Sequence, residues 1–409
     1  MKFQNRTLAR TILKAAKTFP AVVVTGPRQS GKTTLLRHLF GQSHGFVSLE
    51  NHDARARAIQ DPVAFLERHP PPLVLDEIQY VPDLLSYIKS SIDEKRLPGR
   101  FILTGSQNFT LMQGVTQSLA GRAAVLSLPP LTLAERLGLG GRSVEPGAWL
   151  KGLSGAVPSR RVPALPDFLL RGGYPEPALN KAVDRQLWCG SYVTTYLERD
   201  VRSLSGVGDL NQFGSFLRLC ASRTGQILNL SEMARDIGVS VPTAKRWLSL
   251  LETGYQVLLL YPYYRNIGKR LIKAPKLYFT DTALAAYLMG IQDAEALAGS
   301  QAYGALFETM VVLEVWKRFL NHGQMPSMYY LRTRDGLEVD LVLEINGKLQ
   351  LIEVKSASTV TPAHAYSLKR AADFLGKAAG SAVLISGARE GGPLLGSISS
   401  YGWSRAFIS

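Results

Sequence analysis

The first third of the chain alternates two patterns of hydrophobic and polar positions. Short apolar runs rich in Val, Ile and Leu end in glycine or polar residues, and stretches with helical spacing separate these runs. Near-continuous apolar runs of this kind predict the strands of a parallel sheet that helices cover on both faces. The predicted strands lie at residues 21–26, 72–79 and 100–107, and a helix is predicted at 33–40.

The pattern changes twice further along the chain, and each change predicts a new structural unit. Residues 138–166 are rich in Gly, Pro and Ser, which predicts a loop or linker. The pattern from 180 to 300 is mostly helical, whereas strand-like runs follow from residue 327. A chain of 409 residues exceeds the size of one ordinary core, so about three domains are expected.

Composition and charge narrow the classes of protein that fit this chain. Hydrophobic residues make up 46% and charged residues 19%, which is typical of a globular protein. The apolar runs are too short to cross a bilayer. The N-terminal segment is basic but lacks the apolar core of a secretion signal. Cys189 and Cys220 are far apart in the sequence and do not have the spacing of a disulfide framework or a zinc site. A cytoplasmic protein without a membrane partner is therefore predicted. The net charge of +15 favours nucleic acid as the partner, with a generally basic surface as the alternative.

Residues 26–33 match the phosphate-binding pattern G-x-x-x-x-G-K-[ST], between a predicted strand and a predicted helix. Glycines allow backbone N–H groups to wrap phosphates, and the N-terminus of the helix adds a favourable partial charge. Lys32 is expected to reach the β- and γ-phosphates, and the Thr33 hydroxyl to hold Mg²⁺. The predicted nucleotide-binding residues are Gly26, Pro27, Arg28, Gln29, Ser30, Gly31, Lys32, Thr33 and Thr34.

Two acids at the end of the next apolar run complete this predicted site. In LVLDEIQ (73–79), Asp76 is placed to bind Mg²⁺ through water, and Glu77 to orient or deprotonate the attacking water. The run at 100–107 ends in polar residues, of which Ser106 or Gln107 is the candidate sensor of the γ-phosphate.

The segments GPRQSGKTTL, LVLDEIQ, ILTGSQ and SLAGR together resemble the AAA+ type P-loop ATPases, in the bacterial and archaeal group with a conserved C-terminal domain of unknown function. The resemblance extends over most of the chain and is densest in residues 1–135. It implies hydrolysis of ATP with Mg²⁺ and a homo-oligomer, of which a hexameric ring is one form. Arg122 in SLAGR lies where an arginine of such assemblies completes the neighbouring subunit's site. Capping of a surface helix is the alternative role for Arg122.

Residues 228–264 have the pattern of a winged helix-turn-helix. Ser231 and Ser240 can each cap a helix, and Gly238 can form the turn between them. The side chains expected to face the core are Val241, Ala244, Leu248 and Leu251. The side chains expected to face solvent are Thr243, Lys245, Arg246 and Ser249.

Basic residues cluster around this unit, since seven occur between 241 and 276 and Glu252 is the one acid there. A recognition helix with basic flanks suits contacts to the phosphates of duplex DNA. The predicted DNA-binding residues are Lys245, Arg246, Arg265, Lys269, Arg270 and Lys273, and Lys276 completes the seven. A module that contacts proteins or covers the ATPase is the alternative.

The stretch LEVDLVLEI-NG-KLQLIEVKS predicts a β-hairpin, because Asn-Gly between alternating strands favours a two-residue turn. A turn at Asn346-Gly347 places Asp340 opposite Glu353 and Glu338 opposite Lys355, all on one face. Directly opposed residues have Cβ atoms about 4.5–5.5 Å apart, so the two carboxylates can share one divalent ion. Lys355 would lie beside that ion.

This hairpin resembles the restriction-endonuclease-like nucleases, whose pattern is an acid, a spacer, and then Glu or Asp followed by any residue and Lys. The resemblance implies a nuclease-like site of Glu308, Asp340, Glu353 and Lys355 with a second divalent ion, Mg²⁺ or Mn²⁺. Glu314 is the weaker choice for the helical glutamate. Two alternatives remain, namely an ordinary charged sheet face and a nucleic-acid-binding domain with an idle site.

The predicted fold class is α/β, in four parts. These are a P-loop NTPase (AAA+) parallel-sheet domain at 1–140, a linker and helical region at 141–210, a winged-helix domain at 211–298, and an α/β restriction-endonuclease-like domain at 299–409. The predicted function is an ATP-hydrolysing oligomeric motor on duplex or branched DNA, with or without cleavage. The alternative is a nucleotide-dependent switch that gates a protein partner.

Overall fold

A computed structural model describes residues 3–105, 118–153, 162–196, 209–264 and 274–408. Its N-terminal part is a parallel five-stranded sheet of order β2-β3-β4-β1-β5. The strands are β1 (Ala21–Thr25), β2 (Gly45–Ser48), β3 (Leu73–Asp76), β4 (Phe101–Thr104) and β5 (Ala123–Ser127). The helices around it are α1 (Leu8–Ala16), α2 (Lys32–Phe40), α3 (His52–Gln60), α4 (Pro62–Arg68) and α5 (Leu84–Glu94), with a 3₁₀ turn at Ile78–Tyr80.

The central strands of this sheet are buried on both faces, as their sequence predicts. Successive side chains of a strand point to opposite faces, so each strand contributes to two cores. Val22 and Val24 pack with Leu8 and Leu35 on one face, and Val23 belongs to the separate core on the other face. The predicted parallel sheet with both faces covered is therefore confirmed.

A helical segment follows the sheet and departs from the predicted linker. Its helices are α6 (Leu133–Arg136), α7 (Pro146–Gly152), α8 (Leu165–Arg171), α9 (Pro175–Leu179) and α10 (Arg185–Thr195), with a 3₁₀ turn at Gly140–Arg142. Helix α7 lies inside the stretch predicted to be a loop, and its Trp149 is fully buried. The Trp149 ring stacks on Phe407 with centroids 5.5 Å apart. Burial of this large side chain stabilises a helix that the Gly- and Pro-rich composition disfavours.

Between residues 209 and 298, the described residues form helices and a small antiparallel sheet of order β6-β8-β7. The elements are α11 (Leu210–Ser222), β6 (Gln226–Ile227), α12 (Leu230–Ile237), α13 (Val241–Thr253), β7 (Val257–Leu260), β8 (Lys276–Phe279), α14 (Thr282–Leu288) and α15 (Ala294–Ala298).

Most of the predicted helix signals in this unit are confirmed, and two are wrong. Ser240 accepts a hydrogen bond from the Thr243 N–H as the cap of α13, and Gly238 has a φ of 74° at the end of α12. The cap of α12 is Asn229 instead of Ser231, because the Asn229 side chain accepts from a backbone N–H in the first turn. Val241 is 42% exposed at the first position of α13, where the core does not extend.

The C-terminal part is a mixed six-stranded sheet of order β13-β14-β12-β11-β10-β9. The strands are β9 (Met328–Arg332), β10 (Glu338–Ile345), β11 (Lys348–Lys355), β12 (Ala379–Ser386), β13 (Gly392–Leu395) and β14 (Ile398–Gly402). The helices are α16 (Ala302–Asn321), α17 (Tyr366–Leu375) and α18 (Trp403–Ile408), with 3₁₀ turns at Pro362–Ala365 and Gly376–Ala378. Asn346 and Gly347 have φ values of 51° and 72°, and Ile345 pairs with Lys348. The predicted hairpin is therefore confirmed, and its predicted register holds from the turn as far as the Leu341–Ile352 pair.

One apolar cluster joins the parts that follow the first sheet. It extends from Leu133 to Ile408 and includes side chains of α8, α13, α16 and β11. The other face of the C-terminal sheet has its own core, which includes Leu368 of α17. Among the described residues, every helix is too short or too polar to cross a membrane.

Candidate functional site

The loop between β1 and α2 has the backbone that a phosphate-binding loop requires. Gly26 has a φ of 139°, and a side chain there would collide with the carbonyl oxygen of Leu128. Gly31 has a φ of 94° immediately before the first residue of α2. Such backbone is accessible to glycine and strained for other residues. The loop therefore leads into the N-terminus of α2, where free backbone N–H groups favour an anion.

Lys32 is folded over this loop and is only 5% exposed. Its Nζ donates to the carbonyl oxygens of Gly26 and Pro27 at 3.0 Å each. An ammonium held over a ring of backbone amides is well placed to meet phosphate oxygens. The structure thus brings the predicted lysine to the centre of the predicted loop.

Asp76 at the end of β3 accepts hydrogen bonds from hydroxyl groups of two different elements, α2 and β4. Thr33 Oγ1 donates to Oδ1 and Oδ2 of Asp76 at 3.0 and 3.1 Å, and Thr104 Oγ1 donates to Oδ1 at 2.6 Å. Burial raises the pKa of Asp76, and the hydrogen bond from Thr104 opposes that rise. Carboxylate and hydroxyl oxygens are hard ligands of the kind that Mg²⁺ prefers, so Thr33 and Asp76 fit the predicted ion.

Glu77 follows Asp76 with a φ of 59°, a strained value for a residue with a side chain. Its backbone N–H donates to Thr104 Oγ1 at 3.1 Å, so one threonine supports both acids. Sequence reasoning missed Thr104, although the polar end of β4 pointed to it. The other candidates at the end of this strand, Ser106 and Gln107, lie outside the described residues.

A cleft of about 500 Å³ lies over the loop. The loop and Glu77 form one wall, and helices α9 and α10 form the other. The residues of the second wall are Pro175, Glu176, Asn180, Tyr192, Thr195 and Tyr196. The sequence analysis missed this wall because it is more than 140 residues from the loop along the chain and carries no motif. A volume of this size suits a nucleotide-sized ligand.

Arg6 supports the loop from beneath and was also missed from the sequence. Its Nη1 donates to the Ser30 carbonyl oxygen at 2.7 Å, and its Nε lies 3.2 Å from a carboxylate oxygen of Glu135. Glu135 also accepts from the backbone N–H groups of Thr7 and Thr132, at 2.7 and 2.9 Å. The Arg6–Glu135 pair is buried, with side-chain exposures of 4% and 0%.

Tyr255 connects the same loop to the helix that carries the predicted DNA-contacting residues. This residue follows α13 with a φ of 58°. Its hydroxyl lies 2.8 Å from Thr25 Oγ1 and 3.2 Å from Ser127 Oγ. Since Thr25 immediately precedes Gly26, the Tyr255 side chain joins the start of the phosphate-binding loop to the segment that follows α13.

Arg122 is paired with Asp93 of α5, with Nε–Oδ1 and Nη2–Oδ2 distances of 2.6 and 2.9 Å. The Arg122 carbonyl oxygen accepts from Ala21, the first residue of β1, whereas the phosphate loop follows the last residue. Arg122 therefore lies at the opposite edge of the sheet from its own loop. Its predicted action on a neighbouring subunit stays a prediction.

The predicted nuclease-like residues do converge, and a lysine that was not assigned to them lies at their centre. Lys276 Nζ is 3.2 Å from Glu308 Oε1, 2.8 Å from Glu338 Oε1 and 3.8 Å from Asp340 Oδ1. Lys355 Nζ donates to Glu353 Oε1 at 2.7 Å. We call these six residues the carboxylate cluster.

Two further contacts define this cluster. Asp340 Oδ2 accepts from the Val354 N–H at 2.8 Å, a backbone group that a continued hairpin ladder would pair with the Val339 carbonyl. Glu314 is elsewhere and accepts from the Leu133 N–H, so Glu308 is the helical glutamate of the cluster and the choice of Glu314 is wrong. Within the described ranges, the His, Cys, Asp and Glu side chains form no group with the geometry of a metal site.

The pKa values in the cluster reflect burial of several acids together. Burial, and then the charge of Asp340, raise the pKa of Glu308 to about 6 and that of Glu353 to about 7. Burial also raises the pKa of Asp340. Burial acts to lower the pKa of Lys276, but Glu308, Asp340 and Glu338 outweigh it and the pKa is raised. Lys276 is thus a buried cation and not part of a basic surface, contrary to its place in the predicted basic cluster.

The predicted DNA-contacting residues are only partly described. Lys245 and Arg246 are exposed on α13, while Ala244, Leu248 and Leu251 face the core as predicted. Arg265, Lys269, Arg270 and Lys273 lie outside the described residues.

Three family models match successive parts of the chain. The model of an AAA domain matches residues 18–137. Models of two domains of unknown function match later parts of the chain, DUF8612 at residues 162–295 and DUF4143 at residues 303–392.

Two uncharacterized mycobacterial proteins are similar over most of the chain. Rv2008c of Mycobacterium tuberculosis is 32% identical over 360 residues, which cover 88% of this chain and 75% of the relative. Mb2031c of Mycobacterium bovis gives the same values.

The solved structures that match this chain are more distant. The Walker-type ATPase PABY2304 of Pyrococcus abyssi has a TM-score of 0.45 at 15% identity, covering 70% of this chain and 96% of that one. The RuvB Holliday junction branch migration motor of Thermotoga maritima has a TM-score of 0.29 at 18% identity, covering 61% and 86%. On the matched domains and the identity to the mycobacterial relatives, this chain belongs to the family of AAA-type P-loop ATPases with a C-terminal DUF4143 domain.

Proposed function

We propose that this ATPase acts on DNA, with its hydrolysis coupled to nucleic acid held by the units after residue 209. In this proposal Lys32 binds the β- and γ-phosphates of ATP, Thr33 and Asp76 hold Mg²⁺, and Glu77 activates the attacking water. The observation that carries the proposal is the Tyr255 contact. It joins the base of the phosphate loop to the end of a helix with exposed basic residues.

We infer that residues 210–279 form a winged helix. The order of elements supports this, since a helix, a short strand, two helices joined by a glycine turn and two further strands follow one another. The middle position of β8 in the small sheet, between β6 and β7, also supports it. In such a unit the second helix of the pair contacts the major groove, and here that helix is α13.

The exposed face of α13 carries Lys245 and Arg246 on adjacent positions of one turn. Cations at that place suit contacts to DNA phosphates, which supply most of the affinity and no sequence preference. The excess of positive charge over the whole chain, +15, favours the same class of partner. Binding to duplex or branched DNA without strong sequence preference is therefore part of the proposal.

DNA should stimulate ATP turnover, and the double variant Lys245→Ala with Arg246→Ala should lose most of that stimulation. Loss of two phosphate contacts should also lower the slope of log affinity against log salt by about 1–2. The measurements are phosphate release with and without duplex and four-way DNA, and fluorescence anisotropy over a range of salt.

The matched control is the double variant Lys14→Ala with Lys17→Ala, at the end of α1 in the ATPase domain. Both residues are exposed, and both lie outside the units proposed to hold DNA. Turnover that responds to no DNA form would contradict the proposal and favour a nucleotide switch that gates a protein partner.

Action as an oligomer, for which a hexameric ring is one form, rests on Arg122. Its place at the edge of the sheet opposite its own loop supports a role on a neighbouring subunit. Asp93 would have to release Arg122 for that role, because the two side chains form a bidentate pair.

Mixing two inactive variants tests this arrangement. Arg122→Ala keeps Glu77, and Glu77→Gln keeps Arg122, so in a mixed oligomer some interfaces contain both groups. Random mixing at equal concentration should restore about a quarter of wild-type turnover. An equal mixture that stays as slow as its components would show that Arg122 only pairs with Asp93.

We also propose a restriction-endonuclease-like fold for the C-terminal domain. The β10–β11 hairpin with Asp340, Glu353 and Lys355, and the approach of Glu308 from α16, support it. The function proposed for this domain is to hold DNA. We do not propose that this domain cleaves DNA, because the ammonium group of Lys276 already lies among its acidic side chains.

A further inference from the structure

We propose that Lys276 is a built-in counter-cation, which occupies a cation position in the carboxylate cluster and competes with a divalent metal ion for its acids. The cluster thus exists in two forms, one closed by the ammonium of Lys276 and one open to a divalent ion. This inference concerns the C-terminal cluster alone and does not depend on the ATP site or on DNA binding.

The first support is the position of the ammonium. Lys276 is 4% exposed, and its Nζ lies within 3.8 Å of carboxylate oxygens from α16 and β10. Surrounding a cation by several carboxylates is the arrangement that also binds divalent ions. One ammonium contacts Glu308, Glu338 and Asp340, and with it in place the described acids form no group with the geometry of a metal site. Withdrawal of the ammonium would let these acids approach a shared ion instead.

A second, independent support is an acid that the ammonium leaves incompletely satisfied. Glu353 is 4% exposed, and its Oε2 has no hydrogen-bond partner among the residues that the structure describes. Its other oxygen accepts from Lys355. Glu353 lies close enough to Glu308 and Asp340 for their charges to raise its pKa. A buried carboxylate oxygen without a partner is costly, and a bound cation would relieve that cost.

The balance of charge indicates why removal of Lys276 should open the cluster. Four carboxylates face two ammonium groups, and Arg332 approaches Glu338 only at 3.9 Å and is half exposed. At distances of 3–4 Å and partial burial, removing one positive charge strengthens the attraction of these acids for any other cation. Without Lys276 the acids would therefore take up a divalent ion or, in its absence, a proton.

Lys276 reaches the cluster from a different sheet than most of the acids. It is the first residue of β8, which pairs with β7 and β6, whereas Asp340 and Glu353 belong to the C-terminal sheet. The ammonium therefore fastens the small sheet to the large one. Displacement of β8 would withdraw the cation and open the cluster, so the two events are linked.

The test is the affinity of the full-length chain for Mn²⁺ without nucleotide, measured by electron paramagnetic resonance of free Mn²⁺ and by calorimetry. Lys276→Met should bind one Mn²⁺ more tightly than the wild type by at least about tenfold. Adding Asp340→Asn to Lys276→Met should abolish the gain, which locates the ion in the cluster. Lys276→Arg keeps the charge and should behave like the wild type.

A matched control separates local from general electrostatics. Lys348→Met removes the same charge from an exposed position on β11 outside the cluster, and its Mn²⁺ affinity should equal that of the wild type. Equal Mn²⁺ affinity of folded Lys276→Met and the wild type would overturn the proposal, and so would a gain that survives Asp340→Asn. If Lys276→Met does not fold, two results would support the proposal: weak Mn²⁺ binding by Lys276→Arg, and recovery of folding of Lys276→Met when Mn²⁺ is added. Tight Mn²⁺ binding by Lys276→Arg would overturn it.

Discussion

Replacing Glu77 by glutamine is expected to lower kcat for ATP hydrolysis at least about 100-fold, with little change in ATP affinity. The amide keeps the shape of the side chain and its contact with Gln79, but it cannot accept the proton of the attacking water. Phosphate release under steady-state conditions and binding of ATP by calorimetry measure the two quantities separately.

Glu67→Gln is the control, because Glu67 is an exposed acid of the same domain on α4. Its turnover should equal that of the wild type. If Glu77→Gln retains turnover within about tenfold of the wild type, a different group activates the water and the proposed role of Glu77 fails.

Replacing Arg6 by methionine should destabilise the N-terminal domain by roughly 3–5 kcal/mol, since it leaves the carboxylate of Glu135 buried without its cation. The hydrogen bonds that Glu135 accepts from two backbone N–H groups remain in the variant, and they favour the lower end of this range of destabilisation. The midpoint of thermal unfolding should fall on the order of 10 °C. Since Arg6 also donates to Ser30, ATP affinity should decrease as well.

The double variant Arg6→Met with Glu135→Gln separates the charge effect from loss of packing. Removing both charges should recover part of the lost thermal stability, because no uncompensated ion remains. Arg10→Met changes an exposed arginine of α1, four residues further along the chain, and should leave the unfolding midpoint unchanged. No recovery in the double variant would mean that packing by Arg6, and not its charge, stabilises the domain.

Local signals predicted the parts of the structure that depend on neighbours in sequence. Asn346-Gly347 with alternating residues on both sides predicted the hairpin and its register as far as Leu341 and Ile352. The phosphate loop was predicted in the same way, because its glycines, its lysine and its flanking elements are contiguous. Periodicity likewise predicted Ala244, Leu248 and Leu251 as the buried face of α13.

The residues that sequence reasoning missed act over long separations. Arg6 pairs with Glu135, and Lys276 meets Asp340, through packing that no local pattern encodes. Lys276 was assigned to a basic surface because a run of basic residues is exposed to solvent on average. In the structure, acids of α16 and β10 surround the Lys276 side chain, and it is buried. Trp149 shows the same principle for secondary structure, since its tertiary contact stabilises a helix within a stretch that reads as a loop.

The second wall of the cleft over the phosphate loop has a consequence for the order of events in a catalytic cycle. Tyr192 of that wall bonds through its hydroxyl to Tyr174 and to Gln256, so helices α9 and α10 are tied to the end of α13. A nucleotide bound there would lie between the loop and these helices. We therefore expect the binding and escape of nucleotide, more than bond cleavage itself, to shift these helices against the end of α13.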